Sequence, residues 1–286
     1  MMARAAARRY RSITTPLAGA ARQIYLLVFS AIAAFPLVWV VLSSFKTNSS
    51  ILGSALSLPD RLHAENYATA VSMTRVIVPF TNSIIVTAGA VALNLFLSFS
   101  AAFAIARFPG RWLRAVALIF SLGVLIPINS AILPIKLIMT RLALGDSLPG
   151  LIILYAVLGL PIGVLVLRSF LLSVPLAIDE SARMDGAGWW TILFRIILPV
   201  SQSGIATVAI WQAIMAWNEF LFAILLISSE AHRTLQIAIR FFLGMFTFDY
   251  GALFAMLVMV IVPIVLVFIV FQERVIAGLT AGAIKG

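Results

Sequence analysis

The feature that most constrains this chain is a series of long apolar runs. As a helix, the first run is about 31 Å long, enough to cross the hydrocarbon core of a bilayer. Six such runs lie at residues 24–44, 82–105, 115–135, 149–167, 204–227 and 251–271. Because 63 % of the chain is hydrophobic and only 10 % is charged, the sequence predicts an all-α integral membrane protein with six transmembrane helices.

Composition also excludes several function classes. Lys and Arg total 20 against 10 Asp and Glu, but they lie in short segments beside apolar runs, so we expect no nucleic-acid partner. The chain has no Cys, and its two His residues, His63 and His232, are far apart in sequence, so we expect no metal site. No GxxxxGK[ST] phosphate loop occurs. We therefore predict no catalytic, metal-binding or cofactor-binding residues, and any ATP with its Mg²⁺ would be bound by other chains.

The distribution of basic residues predicts the orientation. Six spans put both termini on one side, and 13 of the 20 Lys and Arg residues lie on that side. The positive-inside rule makes this side cytoplasmic. It contains the basic segment 1–23, the interval 173–199 and the tail 272–286. A cleaved signal peptide is the alternative for the first run, but that run is longer than a usual signal h-region.

The interval 173–199 predicts a bent helical hairpin. A first helix is expected to stop near Gly186, and an apolar stripe at helical spacing starts after Gly188 and is closed by Leu198-Pro199. Arg183 follows Asp179 by four residues and Glu180 by three, and a local ion pair would explain these charges alone. It would not explain the hinge and the Leu-Pro stop. From the residues alone, the hairpin is either an interfacial anchor or a docking device for a partner.

Polar residues also occur inside the predicted spans. Glu219 is the only acidic residue well inside one, and Gln212 lies seven residues earlier on the same helix face. Intramembrane acids are candidate functional sites, so Gln212, Asn218 and Glu219 are pathway or substrate candidates. The alternative is a buried polar pair that fixes helix packing. Pro127 and Pro161, within the third and fourth spans, indicate either simple kinks or a gated pathway.

The hairpin carries a pattern of a known family. Glu180-Ser-Ala182, Asp185-Gly-Ala187, Ile196 and Leu198-Pro199 resemble the EAA loop of permease subunits in binding-protein-dependent ABC importers, with Ser181 replacing the usual Ala. The ending 278–286 is similar to the tail of the maltose-type, carbohydrate-uptake branch, in its smaller permease subunit. Further matches are Phe35-Pro36-Leu37, Asn66-Tyr67, Asn82-Ser83 and Trp217-Asn218-Glu219-Phe220. The resemblance covers nearly the whole chain.

The resemblance implies a type I (MetI-like) ABC importer permease fold and a set of contacts. Within the coupling loop 173–199, residues 179–197 would form coupling helices in a cleft of a cytoplasmic ATPase subunit. The implied ATPase-coupling residues are Asp179, Glu180, Ser181, Ala182, Asp185, Gly186, Leu198 and Pro199. The implied tail contacts to the ATPase are Gly278, Thr280, Gly282 and Lys285, although a frayed terminus is the alternative there. The polar loop 228–250 corresponds to the loop that probes the binding protein.

The sequence therefore predicts a sugar permease subunit of an ATP-driven importer in the cytoplasmic membrane. The implied partners are a second homologous permease, two ABC ATPase subunits that hydrolyse ATP, an extracytoplasmic sugar-binding protein, the lipid bilayer and a carbohydrate substrate. The competing hypothesis is an ion-coupled secondary transporter, which normally needs more ion-binding groups in its spans and two related halves. An intramembrane enzyme would need a metal or nucleophile arrangement that the chain lacks.

Overall fold

A computed structural model describes residues 16–245 and 249–283, and every regular element in these ranges is helical. The predicted all-α class is therefore confirmed for the described part of the chain. The helices are α1 (Pro16–Ser43), α2 (Asn48–Gly53), α3 (Glu65–Thr74), α4 (Ile77–Arg107), α5 (Arg111–Gly123), α6 (Ile132–Arg141), α7 (Leu148–Leu171), α8 (Ala177–Met184), α9 (Trp189–Val200), α10 (Gln202–Asn218), α11 (Leu221–Leu226), α12 (Leu235–Met245) and α13 (Tyr250–Ala283).

Four of the described helices are long and apolar enough to cross a membrane by themselves. They comprise Gly19–Ser43 of α1, all of α4, all of α7, and Tyr250–Val270 of α13. Two bent pairs raise the number to six if each pair is one span: Arg111–Gly123 with Ile128–Arg141, bent by 98°, and α9 with α10, bent by 81°.

Three of the predicted runs differ in detail from the helices. The third run is divided between α5 and α6, and Pro127 lies in the bend between them. The fifth run is divided too, since α10 ends at Asn218 and α11 begins only at Leu221. By contrast, α7 continues through Pro161, and α13 continues twelve residues past the predicted end at 271.

Among the described residues, one compact unit consists of residues 16–68 and 249–258. Within it, the side chain of Asn66 donates hydrogen bonds of 2.9 Å to the carbonyls of Ser44 and Lys46. The hydroxyls of Tyr67 and Ser44 lie 2.8 Å apart. The Asn66-Tyr67 pair thus fixes the segment that leaves α1.

The second compact unit consists of the described residues 69–245 and 259–283. Its centre is α4 packed along α7, with α10 against both. Two buried apolar clusters form on this core. The first contains Phe222, Ala223 and Leu226 of α11. The second contains Ile192, Leu193 and Ile197 of α9. The helical core therefore carries the short helix α11 on one cluster and the hairpin 173–199 on the other.

Candidate coupling surface and buried polar cluster

A glycine turn ends the first helix of the hairpin. After α8, the N–H of Gly186 donates to the carbonyl of Arg183, and the N–H of Ala187 donates to the carbonyl of Ala182, both at 3.0 Å. These two bonds form a Schellman motif, which requires a left-handed residue at the position that Gly186 occupies. The φ of Gly186 is accordingly +83°. The predicted stop near Gly186 has a local cause.

One face of α8 is buried in the protein. Asp179 and Ala182 lie on it, and the Asp179 carboxylate pairs with Nε of Arg107, the last residue of α4, at 2.5 Å. Only 3 % of the Arg107 side chain and 6 % of the Asp179 side chain are exposed. Burial raises the pKa of the Asp179 carboxyl, although the Arg107 guanidinium opposes that shift.

The local ion pair considered from the sequence is not formed with Arg183. The guanidinium of Arg183 instead lies 4.7 Å from the ring centre of Trp189, in a cation–π arrangement. A helical spacing of three or four residues permits an ion pair but does not select it. A buried cation from another helix is the stronger competitor for Asp179, because its charge also has to be compensated.

The other face of α8 and the turn after it are exposed. Glu180, Ser181, Asp185 and Gly186 all lie there. Met184 is 88 % exposed, and Trp190, just beyond the turn, is 69 % exposed. The structure therefore divides the predicted coupling residues: these four are free to contact a partner, whereas Asp179 and Ala182 face the protein.

The second helix of the hairpin anchors it to the core. Ile192 and Ile197 are fully buried, in one cluster with Phe99 of α4 and Leu167 of α7. The backbone of α9 widens into a π-helical turn at Ile192–Ile197. Leu198 closes that turn, is partly buried and is followed by the exposed Pro199, which has no N–H to continue the ladder.

The predicted tail residues fall mostly on the last helix. The backbone of α13 is helical through Gly278, Thr280 and Gly282. Their contact with an ATPase subunit stays a prediction. Lys285 lies outside the described residues.

Glu219 lies at the break between α10 and α11. Its carboxylate accepts hydrogen bonds from the N–H groups of Phe222 at 2.8 Å and Ala223 at 3.0 Å, and from the Tyr155 hydroxyl at 2.6 Å. The carboxylate therefore caps α11 and ties it to α7. The side chain that looked like an isolated acid in a continuous span is a structural acceptor with three donors.

Gln212 belongs to a buried polar cluster centred on Gly159 of α7. Its Nε2 donates to the carbonyl of Tyr155 at 2.9 Å, and Nδ2 of Asn94 donates to the carbonyl of Ala156 at 2.8 Å. A Cβ at residue 159 would collide with Oε1 of Gln212. Oε1 of Gln212 and Oδ1 of Asn94 are buried and make no hydrogen bond among the described residues.

A cavity of about 140 Å³ lies beside this cluster. Gln212, Glu219 and Tyr155 line it, together with Trp211 and Met215. Asn218 does not line it: its Nδ2 donates to the Ile214 carbonyl in its own helix at 2.8 Å, and the side chain is exposed. The structure thus brings together two of the three predicted pathway candidates through Tyr155.

The loop that follows α11 is held by two polar anchors. Asp146 accepts hydrogen bonds from the N–H groups of Ser228 and Ser229, and these bonds lower the pKa of its carboxyl. Nδ2 of Asn82 donates to two carbonyls of the loop, and Oγ of Ser83 accepts the Leu235 N–H. The Asn82-Ser83 pair noted in the sequence thus fixes residues 231–235.

Comparison with known proteins assigns the family. Residues 94–280 match the family described as binding-protein-dependent transport system inner membrane component. The chain belongs to this family. The match confirms the predicted permease component, its MetI-like fold and its place in the inner membrane, rather than an enzyme or an ion-coupled secondary transporter. As a member of such a system, this permease chain works in a complex with an ATPase and a binding protein.

The relatives cover nearly the whole chain. The chain is 35 % identical to the diacetylchitobiose uptake system permease protein NgcG of Streptomyces coelicolor, over 99 % of this chain and 93 % of that protein. It is 31 % identical to the trehalose transport system permease protein SugB of Mycobacterium tuberculosis, over 94 % of this chain and 100 % of that protein.

A solved structure is similar in fold. It is a chain from a bacterial ABC transporter involved in the import of the acidic polysaccharide alginate, with a TM-score of 0.81. The two chains are 22 % identical, over 92 % of this chain and 98 % of the other.

Three residues of these sites were not found from the sequence. Arg107 was counted only as a basic residue beside a span, and Tyr155 and Asn94 were not distinguished from other span residues. Asn94 is a polar amide inside an apolar run, which is a signal that the sequence does contain. Tyr155 gave no such signal, because tyrosine is ordinary in membrane helices and its partner is on another helix.

Proposed function

We propose that this chain is a permease subunit of an ATP-driven importer of a carbohydrate, and that it forms half of the translocation pathway. Its relatives are named for the uptake of diacetylchitobiose, trehalose and sulfoquinovosyl glycerol, which supports a saccharide or a glycoside as the substrate. A second homologous permease supplies the other half. Two ABC ATPase subunits bind ATP and Mg²⁺, and an extracytoplasmic sugar-binding protein delivers the substrate.

The observation that carries the coupling role is the two-faced helix α8. Its inner face is held by the buried pair of Asp179 and Arg107. Its outer face presents Glu180 and Ser181, and Asp185 is exposed in the turn that follows. A short, rigidly held helix with an exposed acidic edge suits docking into a cleft with basic residues. Asp179 and Ala182 then position the coupling helix, whereas the exposed residues contact the ATPase.

Force applied to α8 has a defined route into the spans. The Arg107 guanidinium connects α8 to the end of α4 and also donates to the carbonyl of Val174 at 3.2 Å. The buried residues of α9 pack against α4, α7 and α10. Since packed cores move as units rather than deform continuously, closure of the ATPase dimer would shift the hairpin and the span ends together.

The polar cluster is our proposal for this chain's part of the pathway. Gln212 is the strongest of the three candidates, because its buried Oε1 has an unused acceptor beside the cavity. Sugar hydroxyls donate hydrogen bonds of the kind that this atom lacks. Glu219 positions α11 at the edge of the same cavity. The exposed side chain of Asn218 has no comparable support.

Substitution of Glu180 tests the coupling role. Glu180→Lys reverses the charge of an exposed side chain, so we expect ATPase co-purification and sugar uptake to be lost while the permease stays in the membrane. The matched control is Asp60→Lys, an acid that is 72 % exposed and predicted to lie on the opposite side of the membrane. Normal ATPase co-purification with Glu180→Lys would contradict the proposal.

A further inference from the structure

A second cavity lies at the turn between α4 and α5. Its volume is about 470 Å³, and its walls include Arg107, Arg114 and Arg168 from three different helices. No acidic residue is among the described residues that line it. Arg114 and Arg168 make the cavity electropositive, because the charge of Arg107 is already balanced by Asp179.

Two of the three guanidinium groups lack a partner. Arg107 pairs with Asp179. Within the part of the chain that the structure describes, neither Arg114 nor Arg168 makes an ion pair or a side-chain hydrogen bond, and Nε of Arg168 is buried. Nε of Arg168 is enclosed, so the groups available to a ligand are its terminal guanidinium N–H groups and the exposed guanidinium of Arg114. These groups donate charge-assisted hydrogen bonds to the oxygens of a phosphate.

The start of α5 adds to the positive electrostatic potential of this cavity. Gly110 precedes the first residue of this 13-residue helix, and it offers no side-chain cap. The first turn contains no acidic residue, and Leu113 of that turn lines the cavity together with Gly110 before it. The unpaired N–H groups of the first turn and the positive end of the helix dipole favour a bound phosphate.

The surroundings favour a phosphate that belongs to a lipid. Beyond the cavity, α5 exposes an apolar surface: Leu118 is 59 % exposed, Ile119 is 63 % exposed and Leu122 is 51 % exposed. Trp112, in the first turn, is 75 % exposed, as is typical of a tryptophan at the membrane–water interface. Acyl chains can lie along the apolar surface while the headgroup enters the cavity. We propose that this cavity binds the phosphate headgroup of an anionic phospholipid.

The test is lipid binding to the assembled transporter. The chain would be purified with its partner subunits, stripped of lipid, and titrated with phosphatidylglycerol or phosphatidylcholine while bound lipid is measured by native mass spectrometry. We expect phosphatidylglycerol to bind more tightly than phosphatidylcholine. Removal of a guanidinium that donates to the phosphate should weaken phosphatidylglycerol binding about tenfold for each arginine.

The variant is Arg114→Gln with Arg168→Gln, and the control is Arg22→Gln, which removes an exposed arginine outside the cavity. Arg107 is left intact because it holds α8. If the double variant fails to fold, the exposed Arg114→Gln alone gives the comparison. Unchanged phosphatidylglycerol affinity in the variant, or equal affinity for both lipids, would overturn the proposal.

A competition arm separates lipid from free phosphate. Inorganic phosphate at millimolar concentration should leave bound phosphatidylglycerol in place, because it lacks the acyl chains that contact α5. Displacement of the lipid by inorganic phosphate would instead assign the cavity to a free anion and overturn the lipid proposal.

Discussion

The carboxylate of Glu219 should be a major stabilising group of this protein. It caps α11 through the N–H groups of Phe222 and Ala223, and it accepts the Tyr155 hydroxyl from α7. Loss of an N-terminal cap costs about 1 kcal/mol, and loss of a hydrogen bond to a charged group costs about 2 kcal/mol. Glu219→Ala should therefore lower the free energy of unfolding by about 3 kcal/mol.

The assay is thermal unfolding of the purified chain in detergent, followed by tryptophan fluorescence. In proteins of this size, about 3 kcal/mol corresponds to a fall of roughly 6–12 °C in Tm. Tyr155→Phe removes only the bond between the two helices, so it should cause a smaller fall. Because both substitutions remove that same bond, the double variant should be less destabilised than the sum of the single variants.

Asn218→Ala is the matched control for this prediction. Asn218 precedes Glu219 in the chain, but its amide bonds only to the Ile214 carbonyl of its own helix and is exposed. We expect a change of at most about 0.5 kcal/mol. Equal Tm values for Glu219→Ala and Asn218→Ala, or strict additivity with Tyr155→Phe, would refute the capping role.

Three further predictions concern the hairpin and the loop after α11. Gly186→Ala places a Cβ on a residue with φ of +83°, so it should lower the free energy of unfolding by about 1 kcal/mol and weaken ATPase co-purification. The control Gly188→Ala, at φ of −73°, should change neither quantity. Asp179→Asn should lower the free energy of unfolding by about 3–5 kcal/mol, because it leaves the charge of Arg107 buried without a partner. If the pair only positions α8, replacing both residues by apolar ones should recover much of that stability. Asp146→Ala should speed amide hydrogen exchange in the loop near neutral pH, because the loop loses its carboxylate acceptor. Since the pKa of Asp146 in the folded protein lies below 3.8, the carboxylate stabilises the wild-type loop fully above that pH. This stabilisation is lost as the pH falls through the folded pKa.

The features that sequence predicted well are those with local causes. Long apolar runs predict helices because a backbone in lipid must satisfy its own hydrogen bonds. The stop at Gly186 was predictable because a left-handed residue after a helix is usually glycine. The burial of Asp179 was not predictable from the motif, because a carboxylate on a short helix is normally exposed unless it is paired.

The features that sequence could not predict depend on partners from other helices. Asp179 forms its ion pair with Arg107 rather than Arg183 because α4 ends beside α8 in the folded chain. The break at Glu219 is hidden because apolar residues flank it on both sides, so hydropathy shows one run. An acidic side chain just before a helix can accept the free N–H groups of its first turn. Glu219, placed just before an apolar segment, is a capping signal of this kind and could have located the break.

Helix α4 connects the three polar regions of the larger unit. Near its start, Asn82 and Ser83 hold the loop after α11; at its middle, Asn94 reaches the cluster around Gly159; at its end, Arg107 holds α8. The helix has 31 residues, so it is about 46 Å long. It has no proline after its first turn, and a continuous backbone ladder resists bending. We infer that a displacement of α8 reaches the loop after α11 mainly through α4, because this helix contacts all three regions directly. The alternative route through α9 and α10 contains an 81° bend.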